Sequence, residues 1–256
     1  MKTQQSYIVG QNYACKKPDV IAQLQKDILP LEGIEALPAD SRINLGFKTI
    51  EECFPNATFP LGCMHEFLCA STEDTAAING FVAGLLGRLM QFGGVCIWIS
   101  ASRTLFPLAL KTFGVEPDQI IFIDLKKEKD VLWTMEEALK CDKLRAVLGE
   151  VKEIGFTESR RLQLAVEQSR VTGFILRQQP RMLNTVACVS RWRITSSSSE
   201  LEDGMPGVGF PRWNVEISKV RNGKPGSWKL EWSSNGFQQF KKNIFSLPQE
   251  ERRKTG

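Results

Sequence analysis

Histidine is almost absent from this chain: His65 is the single one in 256 residues. That removes most histidine-based catalysis and metal binding at once. A lone imidazole at the start of an apolar run reads as structural, although it could still be half of a pair. The seven cysteines are odd in number and irregularly spaced, and no Cys-x-x-Cys pair occurs. A disulfide framework or a zinc site would need paired spacing. Cys69, Cys96 and Cys188 fall in apolar runs and read as buried reduced thiols. Long hydrophobic runs are missing too. Nothing approaches the roughly 20 apolar residues of a membrane helix, and the greasiest stretch, 95–99, is strand-length. The first seven residues lack the apolar centre of a secretory signal. The expected setting is the cytoplasm, with no membrane partner.

What is present suits one α/β domain with a well-buried core. The length is sufficient for that and too short for two, and the apolar fraction of 42% is ordinary for a globular protein. Charge is unevenly placed. Residues 1–155 hold 16 Lys and Arg against 20 Asp and Glu, a net of −4, whereas residues 156–256 hold 17 against 9, a net of +8. A basic second half points to a polyanion or an acidic protein surface as partner. Plain solubility is the competing explanation.

Along the chain, residues 1–17 carry no pattern. Residues 19–31 have roughly helical apolar spacing, with Asp19 as an N-cap, and residues 32–61 read as loop with short pieces. Regular alternation begins at Gly62. Strands are expected over 63–68, 95–100, 119–125, 145–151 and 171–177, with helices over 72–91, 105–113, 130–141 and 157–170 between them. This repetition predicts a mostly parallel sheet with right-handed crossovers and helices on both faces. Gly80, Gly84 and Gly87 cost helix propensity, so they are expected to permit close approach to the sheet. After Pro180 the pattern changes. Residues 185–194, 213–221 and 227–232 read as strands without helices between them, the last two joined as a hairpin by Asn222-Gly223-Lys224-Pro225-Gly226. Residues 195–210 read as a flexible loop and 241–256 as a charged, disordered tail. The expected division is 1–58 as N-terminal helix and loops, 59–240 as core domain, and the tail.

The strand over 63–68 leads into Cys69-Ala70-Ser71-Thr72-Glu73-Asp74-Thr75-Ala76-Ala77 and then a long helix. That is the topology of a phosphate-binding loop, in which backbone N–H groups and the helix N-terminus cradle phosphates, a lysine neutralises them, and a hydroxyl holds magnesium. The chemistry is missing. No glycine lies in the loop. Thr75 stands where the lysine would be and Ala76 where the magnesium hydroxyl would be. Glu73 and Asp74 occupy the positive end of the helix, where each adds ~0.3–1 kcal/mol. Ser71 and Asp74 have the spacing of a capping box. The protein's own carboxylates thus fill the place of a phosphate, and no tight ATP binding is expected.

Several segments together resemble the ImuA family, relatives of RecA and of the SulA division inhibitor. They are Phe59-Pro-Leu-Gly-Cys-Met-His-Glu-Phe67, Leu132-Trp-Thr-Met-Glu-Glu-Ala-Leu139, Ser159-Arg-Arg-Leu-Gln-Leu-Ala-Val-Glu-Gln168 and Val171-Thr-Gly-Phe-Ile-Leu-Arg177. Arg191-Trp-Arg193, Gly209-Phe-Pro-Arg-Trp-Asn-Val215 and Val220-Arg-Asn-Gly-Lys-Pro-Gly-Ser-Trp228 extend the likeness. The resemblance implies a RecA-like α/β core: a mostly parallel sheet flanked by helices, with an antiparallel C-terminal hairpin. It also implies a role in SOS-induced mutagenesis beside an ImuB-type, Y-family polymerase-like protein and an alternative replicative polymerase subunit. RecA and DNA are further candidate partners, and a homo-oligomer is a candidate state. Against RecA, Ser102 falls at the catalytic glutamate, and Glu150, ending Arg145-Ala-Val-Leu-Gly-Glu150, at the Walker B aspartate. One acid therefore remains, and ATP hydrolysis is left without its parts. For Glu150 a salt bridge to Arg160 or Arg161 competes with metal binding. The expectation is no catalysis, no cofactor and no resident metal.

Two surfaces are candidates for partner or DNA contact. Arg160 and Arg161, in the first turn of a helix, oppose its dipole, and either pair with Glu150, Glu153 or Glu158 or serve an acidic partner. The second is the C-terminal sheet, where Arg191, Arg193, Arg212, Lys219, Arg221, Lys224 and Lys229 interleave with Trp192, Trp213, Trp228 and Trp232. Strand alternation puts Arg191 and Arg193 on one face and Trp192 on the other, giving an aromatic inner face under a basic outer one. That suits phosphate contacts or an interface anchored by Arg and by Trp213. The leading function is a non-enzymatic adaptor in translesion synthesis. A SulA-like division inhibitor and an unconventional ATPase are the alternatives.

Overall fold

The computed structural model describes residues 48–199 and 209–239, with Gln23, Leu24, Asp27, Ile28 and Gly46 beside them. Of the helix expected over 19–31, Gln23, Leu24, Asp27 and Ile28 are described and are helical; the tail over 241–256 lies outside the described residues. A helical turn, α1 (Lys48–Glu51), precedes β1 (Met64–Cys69), α2 (Thr72–Leu89), β2 (Val95–Ser100), a 3-10 helix at Pro107–Phe113, β3 (Ile120–Asp124), α3 (Glu128–Leu139), β4 (Leu144–Val151), α4 (Phe156–Ser169), β5 (Thr172–Gln178), β6 (Ser190–Ser197), β7 (Arg212–Val220), β8 (Gly226–Ser233) and β9 (Gly236–Gln239).

These strands form one nine-stranded sheet in the order β3-β2-β4-β5-β1-β6-β7-β8-β9. From β3 to β6 every pairing is parallel, and from β6 to β9 every pairing is antiparallel. The central strands are buried on both faces, which is why they read as continuous apolar runs rather than as alternation. All six residues of β1 are buried. One core packs α2 against the sheet and takes in Phe67, Leu148, Phe174, Trp192, Trp213 and Trp232. Ile50 and Phe54 belong to it as well, so packing begins before the boundary expected at 59. The second core joins α3 and α4 to the opposite face through Met135, Leu139, Val147, Leu162, Val166 and Ile175.

The glycines of α2 do allow close approach. A Cβ at Gly84 would lie 2.6 Å from Phe237 and 2.9 Å from Trp232, and one at Gly87 would lie 2.3 Å from the Phe113 carbonyl. The helix therefore sinks onto β8, β9 and the 3-10 segment, and the lost propensity is offset by packing. The 105–113 helix is 3-10 rather than α; it starts at Pro107 and stops where Gly114 turns left-handed at φ 76°.

Residues 185–189 are not strand: β6 begins at Ser190. The physical reason lies in the topology. β1 stands between β5 and β6, so the chain must cross over β1 to reach a parallel neighbour. Such crossovers are usually helices, which satisfy their own backbone groups. Residues 179–189 have no helix, and other groups satisfy them instead.

Candidate functional site

The residues of the phosphate-loop position pair with one another. Ser71 Oγ accepts from the Asp74 N–H at 3.1 Å, and Asp74 Oδ2 accepts from the Ser71 N–H at 3.1 Å. This is the reciprocal capping box that the spacing predicted. The Ser71 carbonyl accepts from the Thr75 N–H and hydroxyl and from the Cys69 thiol at 2.9 Å. Cys69 Sγ lies 2.9 Å from Thr75 Oγ1 as well. Burial raises the Cys69 thiol pKa. A triphosphate needs free N–H donors, a cation and a metal-binding hydroxyl. Here a carboxylate holds the Ser71 N–H, Thr72 and Glu73 bring no cation, and Ala76 brings no hydroxyl. The residues present do not fit a nucleoside triphosphate.

Glu150 sits at the penultimate position of β4 and is 5% exposed. Its Oε1 accepts from Trp98 Nε1 at 2.6 Å and its Oε2 from Gln178 Nε2 at 2.7 Å. Burial raises its pKa, and these two donors offset part of the rise. Neither Arg160 nor Arg161 reaches it, which corrects the expected salt bridge. Arg161 pairs with Glu136 at 2.6 Å and Arg160 with Glu167 at 3.3 Å. α4 lies against α3, which supplies Glu136, whereas Glu167 comes from α4 itself. Among the described residues, no group of three or more His, Cys, Asp and Glu could hold a metal ion.

A cavity of about 710 Å³ opens beside the first turns of α2. Its walls are Ala76, Gly80, Ala83, Leu105, Leu110, Phe113 and Trp213, and Thr72, Thr75, Asn79 and Lys152 supply polar edges. The sequence pointed to Thr72, Thr75, Ala76, Arg212 and Trp213 for other reasons and did not disclose the cavity. Its opposing walls are far apart in the chain and meet only through the sheet.

The reading of the sheet's two faces holds, but several cations have partners. Trp192 and Trp213 are buried in the α2 core. Arg191 Nε donates to Glu66 Oε2 and its Nη2 to the Asn184 carbonyl. β7 carries an extra residue between the pairs Arg191–Lys219 and Trp192–Ile217. This bulge turns Lys219 to the face of Arg191, where Nζ donates to the Val186 carbonyl at 3.1 Å. Arg221 donates to the Ala187 carbonyl at 3.1 Å. Arg212 pairs with Glu231. Arg193 and Lys224 remain exposed. Arg193 and Lys229 flank a groove of about 420 Å³ across β6, β7 and β8, with Glu216 between them.

These bonds show what satisfies the helix-free crossover. At its centre Arg177, fully buried, donates to Glu66 at 2.9 Å, Glu153 at 2.9 Å, Asn184 Oδ1 at 3.0 Å and the Met182 carbonyl at 3.0 Å. Its Nε has no partner among the described residues. Asn184 Nδ2 donates to the Ile154 carbonyl, Arg181 N–H to Glu153, and Ala187 N–H to Ser159 Oγ. The sequence held a signal for this clamp. Glu66 and Arg177 are opposite charges inside two largely apolar strands, and buried charges are paired.

His65 is equally enclosed. Trp192 Nε1 donates to Ser190 Oγ, whose hydroxyl is 2.7 Å from His65 Nδ1, and His65 Nε2 is 2.8 Å from the Pro60 carbonyl. A carbonyl only accepts, so the proton sits on Nε2 and the serine donates to Nδ1. Burial lowers the His65 pKa to about 4. Phe59 stacks on the ring at 4.4 Å. The imidazole is neutral and its capacity is used up.

No family model matches the chain. Protein ImuA of Caulobacter vibrioides, in two strains, is 32% identical over 206 residues, which cover 76% of this chain and 84% of that protein. Among solved structures, a KaiC-like protein of the archaeon Pyrococcus horikoshii superimposes with a TM-score of 0.53 at 12% identity, over 78% of this chain and 99% of the other. At that identity the likeness is one of fold.

Proposed function

The chain belongs to the ImuA family, and from that premise we propose that it is a non-catalytic adaptor of SOS-induced translesion DNA synthesis. It binds an ImuB-type polymerase-like protein, with DNA and RecA filaments as further contacts, and needs no nucleotide to do so. One observation carries the absence of catalysis: the Asp74 carboxylate holds the Ser71 N–H that a phosphate would need. A second phosphate-loop donor, the Asp74 N–H, is held by Ser71 Oγ. Glu150 supports the same reading. An acid whose two oxygens serve Trp98 and Gln178 is braced in place, not positioned toward a metal–phosphate pair.

Three measurements test the proposal, the first its non-catalytic part and the other two the adaptor role. Titration of the full chain with labelled ATP and magnesium is expected to give no saturable micromolar binding, and saturable binding abolished by Thr75 or Glu150 substitution would refute the non-catalytic reading. The purified chain and the ImuB-type protein of the same genome are expected to form a complex. Deletion of the gene is expected to lower damage-induced mutation frequency. Failure of both would remove the adaptor role.

A further inference from the structure

The cavity of about 710 Å³ beside α2 has no part in the proposed adaptor role. α2 turns a stripe of short side chains to it, Thr72, Ala76, Asn79 and Ala83, at helical spacing. The rings of Phe113 and Trp213 and the Leu110 side chain complete the apolar wall. Trp213 is fixed from behind by Phe81 and Phe237, with ring centroids 5.9 and 5.8 Å away, so it does not swing in to fill the space. Several polar groups of the wall are committed. Thr75 is bonded within the capping turn, Gln178 holds Glu150, and Arg212 holds Glu231. Asn79 and Lys152 stand apart. Asn79 is 6% exposed, and its Oδ1 has no hydrogen-bond partner among the described residues. Lys152 is exposed, and its ammonium pairs with no carboxylate among the described residues. No Asp or Glu is among the described residues that line the cavity, so its uncommitted charge is positive.

We infer that this cavity is a binding site for a small amphiphilic anion: a molecule with an aromatic or aliphatic body, a hydrogen-bond donor on that body, and one acidic head. The volume falls in the range of small-molecule sites, whose usual form is a mostly apolar wall with a few placed polar groups. The body displaces water from Leu110, Phe113 and Trp213. The head meets Lys152 at the polar edge. The donor meets the Asn79 amide, whose buried oxygen is otherwise left unsatisfied. One free cation suits one acidic group, whereas a polyanion is held by several. Such a site stands whether or not the chain is an adaptor.

Two fluorescent probes test it with the full chain. Anilinonaphthalene sulfonate has the body, an N–H and one acidic head; phenylnaphthylamine lacks only the head. Fluorescence titration is expected to show saturable binding of one equivalent of the sulfonate, at least tenfold tighter than the uncharged probe. Lys152→Gln is expected to remove that preference and leave the uncharged probe within twofold. Ala76→Trp puts a large ring into the cavity from an exposed position of α2. It is expected to weaken both probes at least tenfold while thermal melts stay at the wild-type value. Asn79→Leu is expected to weaken the uncharged probe at least threefold, and an unchanged affinity overturns the donor. No saturable binding overturns the site, as do equal affinities of wild type and Ala76→Trp. A sulfonate preference that survives Lys152→Gln overturns the acidic head. If wild type binds neither probe while Ala76→Trp abolishes the complex with the ImuB-type protein, the cavity takes a side chain of that protein and the small-molecule site is overturned.

Discussion

Asp74→Ala separates what the carboxylate does for the helix from what it does to the phosphate position. The substitution removes one half of the capping box and is expected to cost about 1 kcal/mol in urea denaturation. It leaves a loop still without glycine or lysine, so ATP titration stays flat. His65 gives a pH-dependent counterpart. Its pKa is about 4 in the fold against 6.5 when free. As pH falls through 6.5 the unfolded chain takes up a proton that the folded chain refuses until about 4. Stability is thus full above 6.5 and declines across that window, by up to roughly 3 kcal/mol. Glu150, whose pKa burial raises, acts in the opposite sense, because its protonation favours the fold. The difference between wild type and His65→Gln, measured by urea midpoints from pH 7.5 to 4, isolates the imidazole. A flat difference would remove the claim.

At the scale of elements, the crossover from β5 to β6 depends on Arg177. Arg177→Leu leaves Glu66 with Arg191 alone and Glu153 with the Arg181 N–H, and it frees the Asn184 side-chain carbonyl and the Met182 carbonyl. Removing one member of a buried ion network is expected to cost about 3–5 kcal/mol, against a total of roughly 5–15 kcal/mol for such a domain. Limited proteolysis is expected to cut first within 179–189, and cleavage elsewhere would show that the clamp is not what holds this segment. The same region marks the boundary of what the sequence disclosed. The parallel strands and α2 were legible because apolar runs, glycine stops and helical periodicity agree with one another. The 185–189 stretch, Thr-Val-Ala-Cys-Val, has the β-branched composition of a strand, but the backbone of Val186 and Ala187 bonds to side chains of Ser159, Lys219 and Arg221, and main-chain bonds, to Met64 and Arg221, begin at Val189. Composition does not reveal such partners. β9 is only four residues long and pairs with β8, too short for any period to show. For the candidate site, the loop chemistry and the capping box were readable locally. The Glu66–Arg177 clamp, the Glu150 donors and the cavity needed the sheet order.

Across the whole molecule, a net of +8 in residues 156–256 overstates what the described surface offers to a polyanion. Arg191 and Arg212 face carboxylates, and Lys219 and Arg221 face carbonyls of the crossover and its end. Arg193, Lys224 and Lys229 are the exposed cations of the C-terminal strands and their turns among the described residues. Each phosphate neutralised adds about 0.7 to the slope of log affinity against log salt for single strands and about 0.9 for duplex. If the outer face of the sheet contacts DNA, replacing Arg193, Lys224 and Lys229 together with alanine is expected to flatten that slope by roughly 2–3. Lys219→Ala is expected to leave the slope unchanged while lowering stability, because its ammonium holds the Val186 carbonyl. Fluorescence anisotropy from about 50 to 200 mM salt resolves the two. A slope that falls with Lys219→Ala instead would mean that the lysine leaves the crossover to meet phosphate, and that the clamp and the nucleic-acid surface are one device.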